Sequence, residues 1–89
     1  MGEKNEVELL DFYADWCGPC QMMKPVMEDF EQVHPEIKVT KVNIDEEEEL
    51  AEKYGVSGIP CLVVVKDGEE VKRAVGMQSM KKLEKLVGV

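Results

Sequence analysis

The sequence predicts an α/β fold in which a four-stranded mixed β-sheet is flanked by three helices in the order βαβαββα. Three observations carry this. Val7 to Tyr13, apolar on both faces towards its end, and Cys61 to Val65, an unbroken apolar run, have the composition of strands covered on both faces. From Gly18 to about Val33, the residues Cys20, Met23, Val26, Met27, Phe30 and Val33 recur at helical spacing and form one buried stripe. Asp67-Gly68 between two strand-like runs is a tight-hairpin signal.

Composition narrows the class further. Eighty-nine residues suit one domain spanning 1–89, and 44% hydrophobic residues allow a small core. The net charge of -8, from 11 basic and 19 acidic residues, argues against nucleic acid and anionic membrane surfaces and towards protein partners. No apolar stretch is long enough to span a bilayer. Met1-Gly2-Glu3-Lys4-Asn5-Glu6 lacks the basic end and apolar stretch of a signal peptide, so a cytoplasmic monomer is expected. In a reducing compartment, three cysteines read as redox chemistry rather than as a disulfide framework.

Taken in order, residues 1–6 are a polar, frayed lead-in to the first strand, Val7 to Tyr13, which is expected to be central. Asp11 stands within its apolar run, where a carboxylate is costly unless neutral, paired or hydrogen-bonded. It is either a solvent-facing strand residue or a buried acid behind Cys20. Pro25 lies inside the first helix, where it removes a hydrogen bond to the carbonyl of Gln21 and kinks the chain. Met23 and Met27 read as core filling, with an adaptable binding surface as the alternative, and Met22 as exposed near the cysteines. His34, before Pro35, is given no role.

Ile37 to Ile44 has strand composition, with Val39 and Lys41 on one face and Val42 and Ile44 on the other, so Lys41 is read as pointing inward. The alternative is an ordinary edge lysine that blocks strand-to-strand aggregation. Asp45 and the four glutamates after it could suggest a cation site. A capped helix explains them better, with Asp45 as N-cap, Glu48 three residues on and acids in the first turn. Leu50, Ala51 and Tyr54 form its inner face and Gly55 is its left-handed stop. Pro60 opens the next strand, where proline is tolerated. The last helix is capped by Ser79, turns Met80, Leu83, Leu86 and Val87 inward, and ends at Gly88.

The chemistry is concentrated in Trp16-Cys17-Gly18-Pro19-Cys20. Two cysteines separated by two residues at a helix start close a small ring with little rearrangement, which makes them a two-electron dithiol–disulfide switch. Cys17 falls at the N-cap and Pro19 in the first turn, so free amides and the positive end of the helix dipole point at the first sulfur. Cys17 should therefore ionise readily and act as nucleophile, exposed at the cap, with Cys20 the less accessible resolving thiol. The alternative is half of a zinc or iron–sulfur knuckle, which usually needs a second close pair, whereas only Cys61 and His34 remain. No metal and no cofactor are expected.

At this motif the chain resembles the thioredoxin family, specifically its short archaeal-type, glutaredoxin-like members. The resemblance runs through Asp11-Phe12, Pro25, Lys41-Val42-Asn43-Ile44-Asp45, Tyr54-Gly55-Val56, Gly58-Ile59-Pro60, Lys66-Asp67-Gly68 and Gly76. Three departures stand out: the first strand and most of the first helix of a full-length member are missing, Tyr13 replaces a common tryptophan, and Cys61 replaces the usual threonine. The missing strand would leave Ile37 to Ile44 at a sheet edge.

The resemblance implies a spatial strand order of second, first, third, fourth, with the third strand running against the first two. It also implies a cis Ile59-Pro60 bond beside the disulfide. Catalytic residues would be Cys17, Cys20, Asp11 and Lys41, the last two sharing a partly buried electrostatic contact. Trp16, Gly18, Pro19, Ile59, Pro60 and Gly76, with the region around Met77, would meet substrate. The implied activity is reduction of protein disulfides. The implied partners are substrate proteins and a thioredoxin reductase fed by NADPH or ferredoxin. A glutaredoxin-like enzyme using glutathione is the alternative, followed by a metal or cluster carrier and a non-catalytic interaction module. Cys61 reads as a small buried strand residue or as a regulatory thiol.

Overall fold

The strand at the centre of the sheet is β1 (Val7–Tyr13), and the computed structural model shows it paired on both edges. The structure describes residues 6–89, so the polar lead-in expected over residues 1–6 lies, apart from Glu6, outside the described residues. β1 is followed by α1 (Gly18–Val33), β2 (Lys38–Asn43), α2 (Glu48–Lys53), β3 (Cys61–Lys66), β4 (Glu69–Val75) and α3 (Met80–Val87). β1 pairs in parallel with β2, from Glu8 opposite Lys38 to Tyr13 opposite Asn43, and antiparallel with β3, from Val7 opposite Lys66 to Phe12 opposite Cys61. β4 completes the order β2-β1-β3-β4, as the family resemblance implied.

Because side chains alternate along a strand, the sheet has two apolar faces. Leu9, Leu62 and Val64 meet Met23, Met27 and Phe30 of α1 and Leu83 of α3 on one face. Leu10, Phe12, Val42, Cys61, Val63 and Val65 lie on the other, covered in part by Leu50, Ala51 and Tyr54. The interior strands β1 and β3 are thus buried on both sides, which explains their unalternating sequences.

Local signals account for most boundaries. Ser79 accepts the amide of Lys82 and caps α3, while Gly88 ends it in the left-handed region at φ 87°. Asp67 and Gly68 both take positive φ, as a two-residue hairpin turn demands. Gly55 stops α2 at φ 61°. The helical stripe of α1 holds at Cys20, Met23, Met27 and Phe30, whereas Val26 is half-buried and Val33, in the last turn, is exposed.

The start of α2 departs from the expectation. Asp45 does not cap it; the N-cap is Glu47, whose side chain makes no capping bond. Asn43 intervenes, its Oδ1 accepting the amide of Asp45 at 2.9 Å and its carbonyl accepting those of Glu46 and Glu47. A turn therefore forms before the helix, because a short amide side chain competes with helix for the following N–H groups.

Candidate active site

At the end of β1 the chain turns through Asp15 and Trp16 into α1, with the Cys17 amide donating to the Ala14 carbonyl at 3.2 Å. Cys17 is the N-cap in extended geometry (φ -90°, ψ 111°), and its Sγ accepts the Cys20 amide at 3.2 Å. A disulfide joins Cys17 to Cys20 across a Cα separation of 5.2 Å. One orphan amide of the helix start thus faces the first sulfur, the arrangement that favours a thiolate there when the bond opens.

Cys17 and Cys20 form a small buried cluster with Ala14, against which Tyr13, Ile44 and Ile59 pack. The expected difference in access is absent in this oxidised form: Cys17 is 5% and Cys20 6% exposed. The asymmetry between the thiols lies in the helix-start amide rather than in exposure.

Asp11 is 8% exposed on β1. Alternation puts it on the strand face that carries Leu9 and Tyr13, the face on which α1 lies and towards which Cys20 and Met23 turn. The solvent-facing reading of Asp11 is therefore excluded. Burial pushes its carboxyl up from 3.8 to about 6; the charge of Lys41 opposes this and that of Glu31 adds to it.

Lys41 lies opposite Asp11 in the β1–β2 register but does not point inward. Its side chain is 41% exposed, and its ammonium pairs with Glu31 at 3.7 Å rather than with Asp11. A long apolar stem lets a lysine on a buried face carry its charge out to the helix edge. Here the expectation of an inward lysine is corrected, and the contact with Asp11 is one of field rather than of touch.

The residues expected to meet substrate gather around the disulfide. The Ile59-Pro60 peptide is cis, Pro60 is fully buried and Ile59 packs on the cysteine cluster. Gly76, at φ 96°, donates its amide to the Pro60 carbonyl at 2.8 Å, which ties the end of β4 to this loop. Gly18 and Pro19 are exposed in the first turn of α1. Trp16 is 68% exposed, and its indole Nε1 donates to Asp45 Oδ2 at 2.9 Å. Met77 is exposed beyond Gly76, and so is Val75, whose Cγ1 stands 3.1 Å from where a Cβ on Gly58 would be.

Asp45 and Val75 were missed as site residues. Asp45 was legible only as a helix cap, and Val75 only as the last strand residue before Gly76. Met22 is exposed, as expected. Cys61 is 1% exposed in the core, opposite Phe12 and Val75, and burial pushes its thiol up. That position matches the small buried residue rather than a reactive thiol. His34 has a structural part: its Nε2 meets Glu84 Oε2 at 2.8 Å, joining the end of α1 to α3.

Two thiols that open and close across one helical turn, at the end of the central strand of this sheet, place the chain among thiol–disulfide oxidoreductases. Comparison narrows the class. The thioredoxin family model matches residues 2–88. Thioredoxin of Bacillus subtilis is 48% identical over 82 residues, 91% of this chain and 79% of that protein. Thioredoxin of Chlamydia caviae is 48% identical over 79 residues, 89% of this chain and 78% of that protein. Among solved structures, the N21Q mutant thioredoxin of Halobacterium salinarum superposes with a TM-score of 0.86 at 48% identity, covering 93% of this chain and 73% of that one. Fasciola hepatica thioredoxin reaches 0.89 at 39% identity, covering 96% and 81%. The chain belongs to the thioredoxin family, with the thioredoxin fold and a redox-active Cys17–Cys20 centre that gives it protein-disulfide reductase activity.

Proposed function

We propose that the chain acts as a single domain over residues 1–89, a cytoplasmic monomer that reduces exposed protein disulfides and is returned to the dithiol by a thioredoxin reductase drawing on NADPH or ferredoxin. The Cys17 thiolate attacks a substrate disulfide, forming a Cys17–substrate bond and releasing one substrate thiolate, which takes up a proton. Cys20 then gives its proton to the Asp11 carboxylate and attacks Cys17 Sγ, expelling the second substrate thiolate. The substrate gains two electrons and two protons, and the Cys17–Cys20 disulfide re-forms. A carboxyl with a pKa of about 6 suits this transfer, being ionised at neutral pH yet a better base than an ordinary aspartate.

The observation that carries the assignment is the Cys20 amide directed at Cys17 Sγ. Substrate would lie over Trp16, Gly18, Pro19, Ile59, Pro60 and Gly76, with Val75 and Met77 at the rim; Lys41 acts on Asp11 through its field.

Insulin reduction, driven in parallel by NADPH-dependent reductase, ferredoxin-dependent reductase or glutathione, tests the donor. Turnover with either reductase and not with glutathione is expected; the reverse would make the chain glutaredoxin-like. Cys20→Ser should accumulate mixed disulfides with substrate proteins, and Cys17→Ser should be inert. Trapping by Cys17→Ser alone would invert the two roles.

A further inference from the structure

The groups facing Asp11 come from two elements. β2 supplies Lys41, and α1 supplies Glu31 and, on the same face of the sheet, Cys20. On β3 the register partner of Asp11 is the apolar Leu62, and Cys61 beside it, which feels the charge of Asp11, lies on the opposite face of the sheet. Of these Lys41 is the cation, and it does not close on Asp11. Its Nζ sits 3.7 Å from Glu31 Oε2. The Glu31 side chain is 42% exposed, yet that oxygen is buried and makes no hydrogen bond among the described residues. A half-exposed helix carboxylate would ordinarily give both oxygens to water, and withdrawing one without a hydrogen bond is costly. The attraction that offsets this is the ammonium of Lys41.

We propose that Glu31 is a positioning residue that holds the Lys41 ammonium at the α1 edge of β2, leaving Asp11 to face the redox pair without a cation bound to it. The inference rests on the reading of Asp11 as the proton acceptor for Cys20. A carboxylate bound to lysine is a weak base, because the cation stabilises its charge. With Lys41 drawn aside and a second carboxylate nearby, Asp11 binds its proton more tightly and is a better acceptor near neutral pH. The sequence gives Glu31 no such part: it lies off the buried stripe of α1 and reads as a solvated helix residue.

The test is titration of the Asp11 carboxyl by 13C NMR, beside the pH profile of mixed-disulfide resolution in single turnover. Glu31→Gln, close in shape and without charge, should move the Asp11 midpoint down by about 0.5 pH unit. The acid limb of the resolution profile should follow it. Glu31→Asp should restore part of the shift, and Lys41→Met should move the midpoint up. In the Lys41→Met background, Glu31→Gln should have a clearly smaller effect, because the ammonium it positions is gone. An unchanged midpoint in Glu31→Gln would overturn the proposal. An equal shift in both backgrounds would overturn it too, making Glu31 only a nearby charge. If the midpoint falls while the resolution profile stays put, Glu31's role stands and Asp11 loses its part as acceptor for Cys20.

Discussion

Asp11 shows most directly how a destabilising residue can serve a purpose. It is an acid 8% exposed in a central strand, and burial is the largest cause of its raised pKa. Its ordinary value is 3.8 and its folded value about 6, so ionisation is harder in the folded protein than in the unfolded chain. The penalty on folding is absent below the ordinary value, grows as pH rises towards the folded value, and is complete above it. Asp11→Asn should therefore stabilise the protein at pH 8 by about 1–3 kcal/mol and change little at pH 4. Resolution should slow, since an amide cannot accept the Cys20 proton. Paired urea curves at the two pH values check the first half and single-turnover reduction the second. Equal stability changes at both pH values would mean that Asp11 is not held in an unfavourable charged state.

At the scale of elements, the turn between β2 and α2 shows where local sequence signals mislead. Asp45 with Glu48 reads as a capping box, but Asn43 takes the available amides first, and Asp45 instead holds the Trp16 indole beside the cysteines. The two readings differ in which residue matters for stability. Asn43 is 8% exposed and satisfies three amides, one through Oδ1 and two through its carbonyl. Asn43→Ala should cost about 1–2 kcal/mol, because a buried turn loses its side-chain acceptor. Asp45→Ala, which removes one exposed hydrogen bond, should cost well under ~1 kcal/mol and should alter Trp16 fluorescence. Urea midpoints in the opposite order would restore Asp45 as a cap. The other boundaries were legible because each rests on one residue's own backbone chemistry, such as the left-handed glycines and the Ser79 hydroxyl. The partners of Trp16, Lys41 and His34 were not. They lie on other elements, and periodicity constrains which face a side chain takes but not which distant charge it meets.

For the whole molecule, the order of elements was readable because the interior strands must be apolar on both faces, and the CxxC pair was readable from its spacing at a helix start. The electrostatic surroundings of Asp11 became visible only with β2 beside β1 and α1 across both. Stability at this scale is coupled to redox state. A domain of 89 residues has a small core, so one cross-link is a sizeable share of its stability. The Cys17–Cys20 loop is short, at a sequence separation of 3. Loop closure on this scale removes unfolded-state entropy worth about 2 kcal/mol, less than a long-range disulfide would contribute. The same bond spans the first turn of α1 and joins the cluster that includes Ala14, so opening it leaves two thiols to be accommodated in a buried site. The reduced protein should therefore melt roughly 8–16 °C below the oxidised one, taking about 4–8 °C per kcal/mol for a domain of this size. Calorimetric scans at pH 7 with and without excess dithiothreitol measure the difference. The Cys17→Ser/Cys20→Ser double variant should melt close to the reduced form. Coincident melting of the oxidised and reduced proteins would show that the disulfide contributes nothing to folding, and that the site is held entirely by its packing against Tyr13, Ile44 and Ile59.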